Sequence, residues 1–200
     1  MTPDQTNSGS TTLDAVAAEA RACTHCTSLP LGPRPILRVS PTARLLIASQ
    51  APGTLVHASG TPWTDASGHR LRAWIGLSPA EFHDAARVAI LPTGLCYPGR
   101  LPRGGDAPPR PECAQLWHPR LLPLMPAIRL ILLVGAYAQA AALGPAPMTE
   151  RVRAWRDHLP GYFPLPHPSW RTEVWERRNP WFTDEVLPAL RREVRRALAA

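Results

Sequence analysis

The chain has 200 residues, enough to bury one sizeable core and too few to require a second domain. An apolar fraction of 44% with seven tryptophans excludes a disordered chain, and 25 prolines scattered without a low-complexity tract mean many rigid connections. The net charge is +7 and all 22 basic residues are arginines, whose planar forks suit phosphate.

Residues 1–12 (MTPDQTNSGSTT) are polar and read as a disordered tail without the basic and apolar regions of a secretory signal, so residues 13–200 are taken as one domain. Leu13–Cys23 has helical spacing with alanine-rich filling. Four apolar runs then read as strands: Arg44–Ser49, Val88–Thr93, Arg129–Gly135 and, more weakly, Tyr162–His167. Helical patterns lie between and after them. One covers His69–Leu77. The next opens on Ser78 as N-cap with Pro79 at the first helical position. A third is Ala136–Leu143, and the last runs from Thr183, a candidate N-cap, to the C-terminus. Buried strands alternating with helices predict an α/β fold of three layers, α/β/α, around a central, mainly parallel four-stranded sheet. In such sheets ligands bind beyond the carboxyl ends of the strands.

The longest apolar run, Leu130–Leu143, is interrupted by Gln139 and is too short to span a bilayer. The chain is therefore read as soluble and cytoplasmic, and a monomer is expected. In that compartment four cysteines favour metal or cluster binding over disulfides. Cys23 and Cys26 form a C-x-x-C, while Cys96 and Cys113 flank a loop rich in proline, glycine and arginine (YPGRLPRGGDAPPRPE). Two ligands from a tight turn and two from a loop suit a [4Fe–4S] cluster or a structural zinc ion, the alternative being four unrelated buried thiols.

Three further constellations carry chemistry. Gln50-Ala51-Pro52-Gly53 makes a sharp turn after the first strand, able to hold a water or a carbonyl oxygen. Beyond it, Trp63 fits either a stacking platform or ordinary packing, and Asp65 fits either a base or a helix cap. Pro166 and Pro168 fix the backbone around His167, which fits a functional or a structural histidine. Trp170 follows as an apolar wedge, with Arg171, Arg177 and Arg178 around it, the combination that base extrusion from DNA requires. The arginines of residues 151–200 number ten against six acids, which suits a phosphate-facing surface.

In order along the chain, Cys23/Cys26, Gln50–Gly53, Pro62-Trp63, Cys96/Cys113 and His167-Pro168-Ser169 resemble the family-4, iron–sulfur type of uracil-DNA glycosylase. The resemblance implies a [4Fe–4S] cluster on Cys23, Cys26, Cys96 and Cys113. It implies that Gln50, Ala51 and Gly53 lie near the attacking water and the base, and that Trp63 stacks on the flipped uracil. His167 would face uracil O2, and Ser169, Trp170 and Arg171 would lie on the loop that enters the minor groove. The partner implied is uracil-containing DNA, single- or double-stranded. Two positions depart from the family pattern: Gln50 replaces its usual glutamate, and Pro92 stands where it carries an asparagine, with Thr93 beside it as the nearest polar substitute. Gln50 cannot remove a proton, so Asp65 is the expected base. From a different class, a non-catalytic nucleic-acid binder with a four-cysteine zinc site also fits, as does a superfamily relative with altered base choice or covalent trapping.

Overall fold

The structure, a computed structural model, describes residues 12–199, so nearly all of the expected tail lies outside the described residues. Thr12, its last member, belongs instead to the fold: its hydroxyl accepts from the Ala15 amide and caps α1 (Leu13–Arg21). The sheet consists of β1 (Leu45–Ala48), β2 (Val88–Ile90), β3 (Leu130–Val134) and β4 (Tyr162–Leu165). All pairings are parallel, as the four apolar runs predict, and the strand order is β2-β1-β3-β4.

Side-chain alternation along the central strand divides the core into two layers. Leu45 and Ile47 of β1 join Trp74, Phe82, Phe163 and Phe182 on one face, while Leu46 packs with Val16, Ala20, Trp117 and Leu121 on the other. The first face is covered by α3 (Ala66–Ile75), α4 (Pro79–His83), α7 (Met148–Arg153) and the long C-terminal α9 (Leu187–Leu198). The second is covered by α1 and α5 (Pro111–Leu121), with α6 (Ala136–Leu143) packed beside β3. Phe82, Phe163 and Phe182 are fully buried, each contributing roughly 1.5–3 kcal/mol of transfer free energy. This is the three-layer α/β/α architecture.

Short helices α2 (Thr54–Ser59) and α8 (Thr172–Arg178) complete the set. Ser78 caps α4 in a reciprocal capping box with Glu81, as its Ser-Pro start predicts. Thr183 is not an N-cap: it lies inside a π-helical turn, Phe182–Val186, that runs directly into α9. The Cys-flanked segment is also more regular than its composition suggests. Pro111, with no amide hydrogen to leave unpaired, opens α5 and carries Cys113 into its first turn. No helix among the described residues is long and apolar enough to cross a membrane.

Candidate active site

In strand order the chain steps from β1 outward to β2, then returns past β1 to β3, so the sheet has a switch point beside β1. At its carboxyl end opens a cleft of about 520 Å³, lined by segments that follow β1, β2 and β4. Gln50, Ala51, Gly53, Trp63, Asp65, His167, Ser169, Trp170 and Arg171 all line it. Residues up to 121 apart in sequence thus meet in one place because parallel strands deliver all their trailing loops to the same edge.

The turn after β1 is pinned on both sides. The Gln50 carbonyl accepts from the Gly94 amide at 2.8 Å, and its Nε2 donates to the Ala107 carbonyl at 2.8 Å. A glutamate could not make the second bond, because both oxygens would face a carbonyl. Gln50 therefore has its amide nitrogen committed to the 97–110 loop, leaving Oε1 as its acceptor.

Trp63 and His167 form the wall opposite. Their rings stack with centroids 5.8 Å apart and planes inclined by 28°. Trp63 is only 7% exposed and holds a positive φ of 61°, a conformation rare for a bulky residue. The buried Arg72 guanidinium donates to its carbonyl at 2.8 Å and secures it there. On the far side, Gly135 ends β3 with φ of 87°, and a Cβ there would lie 3.4 Å from the His167 Cβ. Burial pushes the His167 imidazole below its ordinary range, against the opposing pull of Asp65, which favours the uncharged ring. The burial effect is the larger of the two. Asp65 is the N-cap of α3, its Oδ1 accepting from the Gly68 amide at 2.9 Å.

Pro92 lines the cleft but Thr93 does not. The Thr93 hydroxyl is buried and donates to the Ser49 carbonyl at 2.9 Å, joining the ends of β1 and β2. The loop after β4 is tightly wound: the Ser169 amide donates to the His167 carbonyl at 2.8 Å, and the Thr172 hydroxyl donates to the same oxygen. Trp170 stands 72% exposed at the rim, with the Arg171 guanidinium over its ring. Arg70, a residue that sequence reasoning missed, braces this loop by donating to the Ser169 carbonyl and bridging Glu173 and Glu176 at 3.2 and 2.8 Å. Arg177 and Arg178 lie outside the cleft; Arg177 lines a separate shallow depression with Arg70 and Asp184.

The cleft also has a lid-side wall absent from the sequence-based site. Residues 99–107 form a tight hairpin: Arg100 pairs with Asp106, and Leu101 and Ala107 donate to the Gly105 and Gly99 carbonyls. Arg171 reaches across to its diglycine tip, where a Cβ on Gly105 would lie 3.2 Å from Nη1. Asp106 lines the cleft from this hairpin, accessible to solvent, its carboxyl raised by partial loss of water and held back by Arg100. It is the only acid between Tyr97 and Arg110, and that isolation among arginines was the available signal.

All four cysteines, distant in sequence, line one small cavity of about 20 Å³ behind the cleft. The Leu95 amide donates to Cys113 Sγ at 3.3 Å, and burial lifts the free Cys113 thiol to about 11. Among the described residues no three His, Cys, Asp or Glu side chains converge closely enough for a single metal ion.

The model of the family described as the uracil DNA glycosylase superfamily matches residues 38–191. That span holds the Gln50 turn, Trp63, the hairpin and His167, and it begins after Cys23 and Cys26. With a parallel four-stranded sheet, a cleft at its carboxyl edge and this match over most of its length, the chain belongs to the uracil-DNA glycosylase superfamily.

Proposed function

We propose that the protein is a monomeric, cytosolic base-excision enzyme of the family-4 type, hydrolysing the N-glycosidic bond of uracil or a related deaminated base flipped out of single- or double-stranded DNA. The observation that carries this reading is the Trp63–His167 pair inside the cleft, with the exposed Trp170 at its rim. Such a wedge replaces the extruded base in the stack, and the aromatic wall receives it.

Cleavage leaves the sugar cationic and sends the bonding electron pair into the base, where charge accumulates on a carbonyl oxygen. A donor fixed beforehand toward that oxygen gives the largest single rate effect. His167 is that donor, and as a neutral imidazole it carries no tightly held hydration shell to shed. Gln50 Oε1 accepts from the attacking water and orients it. Pro92 offers the base edge no side-chain polar group, so recognition there falls to backbone amides and carbonyls, a looser discrimination than an asparagine provides.

The four thiols facing one cavity, with a peptide amide aimed at Cys113, suit a [4Fe–4S] cluster held by Cys23, Cys26, Cys96 and Cys113. A structural zinc ion on the same four thiolates is the alternative, since a four-cysteine set serves either group. Held there, such a group would join the N-terminal segment to the start of α5 through these cysteines.

The test is strand nicking after alkali treatment of uracil-containing oligonucleotides, single- and double-stranded, beside a panel of other damaged bases. Excision of uracil is the expected result. Retained DNA binding with no nicking of any substrate would overturn the enzyme reading in favour of a binding protein.

A further inference from the structure

The geometry points to Asp106 as the cleft carboxylate that faces the sugar cation and takes the proton of the attacking water. This deepens the glycosylase reading and rests on it. Among the residues lining the cleft there are two carboxylates, Asp65 and Asp106. Asp65 is committed elsewhere: one oxygen caps α3 through the Gly68 amide, and its charge is felt by the His167 imidazole on the base side of the site. Asp106 lies across the cleft, where its Oδ2 would sit 3.7 Å from a Cβ placed on Gly53. It therefore faces the same turn that presents Gln50.

Its position is built rather than incidental. The residue next to it, Ala107, takes the Gln50 Nε2–H on its carbonyl, which ties the hairpin stem to the turn after β1. The pairing with Arg100 and the Gly99–Ala107 hydrogen bond hold the stem from the other strand. The uncharged Gln50 is thus tied to the loop that delivers the carboxylate. Gln50 supplies the tether and the water acceptor, while Asp106 supplies the negative charge.

The step balances as follows. The C1′–N bond breaks and its electron pair leaves on the base. A water oxygen bonds to C1′, its proton passes to an Asp106 oxygen, and the base anion later regains a proton from solvent. Asp106 must be ionised to act, and its accessibility through the open cleft allows the proton to leave after each turnover.

Oligonucleotides carrying a cationic pyrrolidine abasic-site analogue or its neutral tetrahydrofuran counterpart, together with single-turnover excision, provide the test. Wild type should prefer the cationic analogue, and Asp106→Asn should lose that preference by about tenfold, the worth of a charge-assisted contact. Asp106→Asn should also slow excision by about 10²-fold or more and remove the acidic limb of the pH profile, with the melting temperature unchanged. Asp106→Glu should recover part of both, and Asp65→Asn should leave the cation preference intact. If Asp106→Asn keeps both the preference and the rate, the assignment fails. If wild type shows the preference, lost in Asp106→Asn, yet excises no base, the carboxylate stands and the uracil reading falls.

Discussion

A Cβ on Gly68 would lie 1.8 Å from the carbonyl oxygen of Trp63. That clash is with backbone, so no side-chain rotation relieves it. The first turn of α3 and the strained Trp63 are therefore one unit, and the aromatic wall of the cleft depends on a missing methyl group five residues away. Gly68→Ala should lower the melting temperature by at least roughly 4 °C and reduce excision with it. Gly161→Ala, where nothing lies within 4 Å, should change neither.

Trp63 itself is both wall and core. Trp63→Ala should cost roughly 3–5 kcal/mol of stability by leaving a cavity. Trp63→Phe should keep the stacked geometry and most of the activity. Measured binding of an oligonucleotide with a flipped base should fall by roughly 1–3 kcal/mol in the alanine variant. Equal losses in both variants would assign the residue to packing alone.

His167→Ala should lower single-turnover excision by about two to three orders of magnitude, the cost of one fixed donor. Binding to undamaged duplex should scarcely change, because phosphate contacts dominate the affinity of such binding in general and His167 lies inside the cleft. Cleavage within a few-fold of wild type by a normally folded variant would remove His167 from the chemistry.

The strands were legible because each is a short apolar run with no competing pattern, and their parallel arrangement brings Gln50, Trp63, Asp65 and His167 to one cleft. What was not legible depends on contacts between loops. Thr93 looked like a substitute for the missing asparagine, yet its hydroxyl is drawn back to the Ser49 carbonyl because two parallel strand ends needed joining. Arg177 and Arg178 follow Trp170 in sequence, but the turn into α8 carries them away from the cleft. Asp106 was hidden in a Pro/Gly segment whose hairpin is tethered to the Gln50 turn by a contact far along the chain. Local composition cannot reveal a contact with a residue fifty-seven positions away.

Acid should destabilise the fold near pH 6. Burial holds His118 and His167 below the ordinary imidazole range, and His83 likewise with Arg38 and Arg72 adding repulsion. At these sites the unfolded chain binds more protons than the folded one. Their stability contribution is therefore complete above the unfolded value of about 6.5 and is lost as the pH falls through it. His118, whose Nε2 lies 3.0 Å from the Pro92 carbonyl, is the cleanest probe. Thermal melts from pH 8 to pH 5.5 should show a shallower decline in His118→Gln than in wild type.

Replacing Cys96 with serine should bleach anaerobically purified protein and lower its melting temperature, since the thiols of Cys23, Cys26 and Cys113 share its cavity. A colourless wild-type protein with stoichiometric zinc would eliminate the cluster and keep a four-thiolate site.

Of the seven tryptophans, Trp63, Trp74, Trp117 and Trp155 are buried and Trp175 and Trp181 are half-buried, so only Trp170 is largely in water. Its emission is consequently the reddest in the molecule and the one most open to soluble quenchers. A nucleic-acid strand laid over the rim must shield that one indole before any other. The indole is thus an intrinsic optical gauge of the cleft rim, readable without a label and without chemistry taking place.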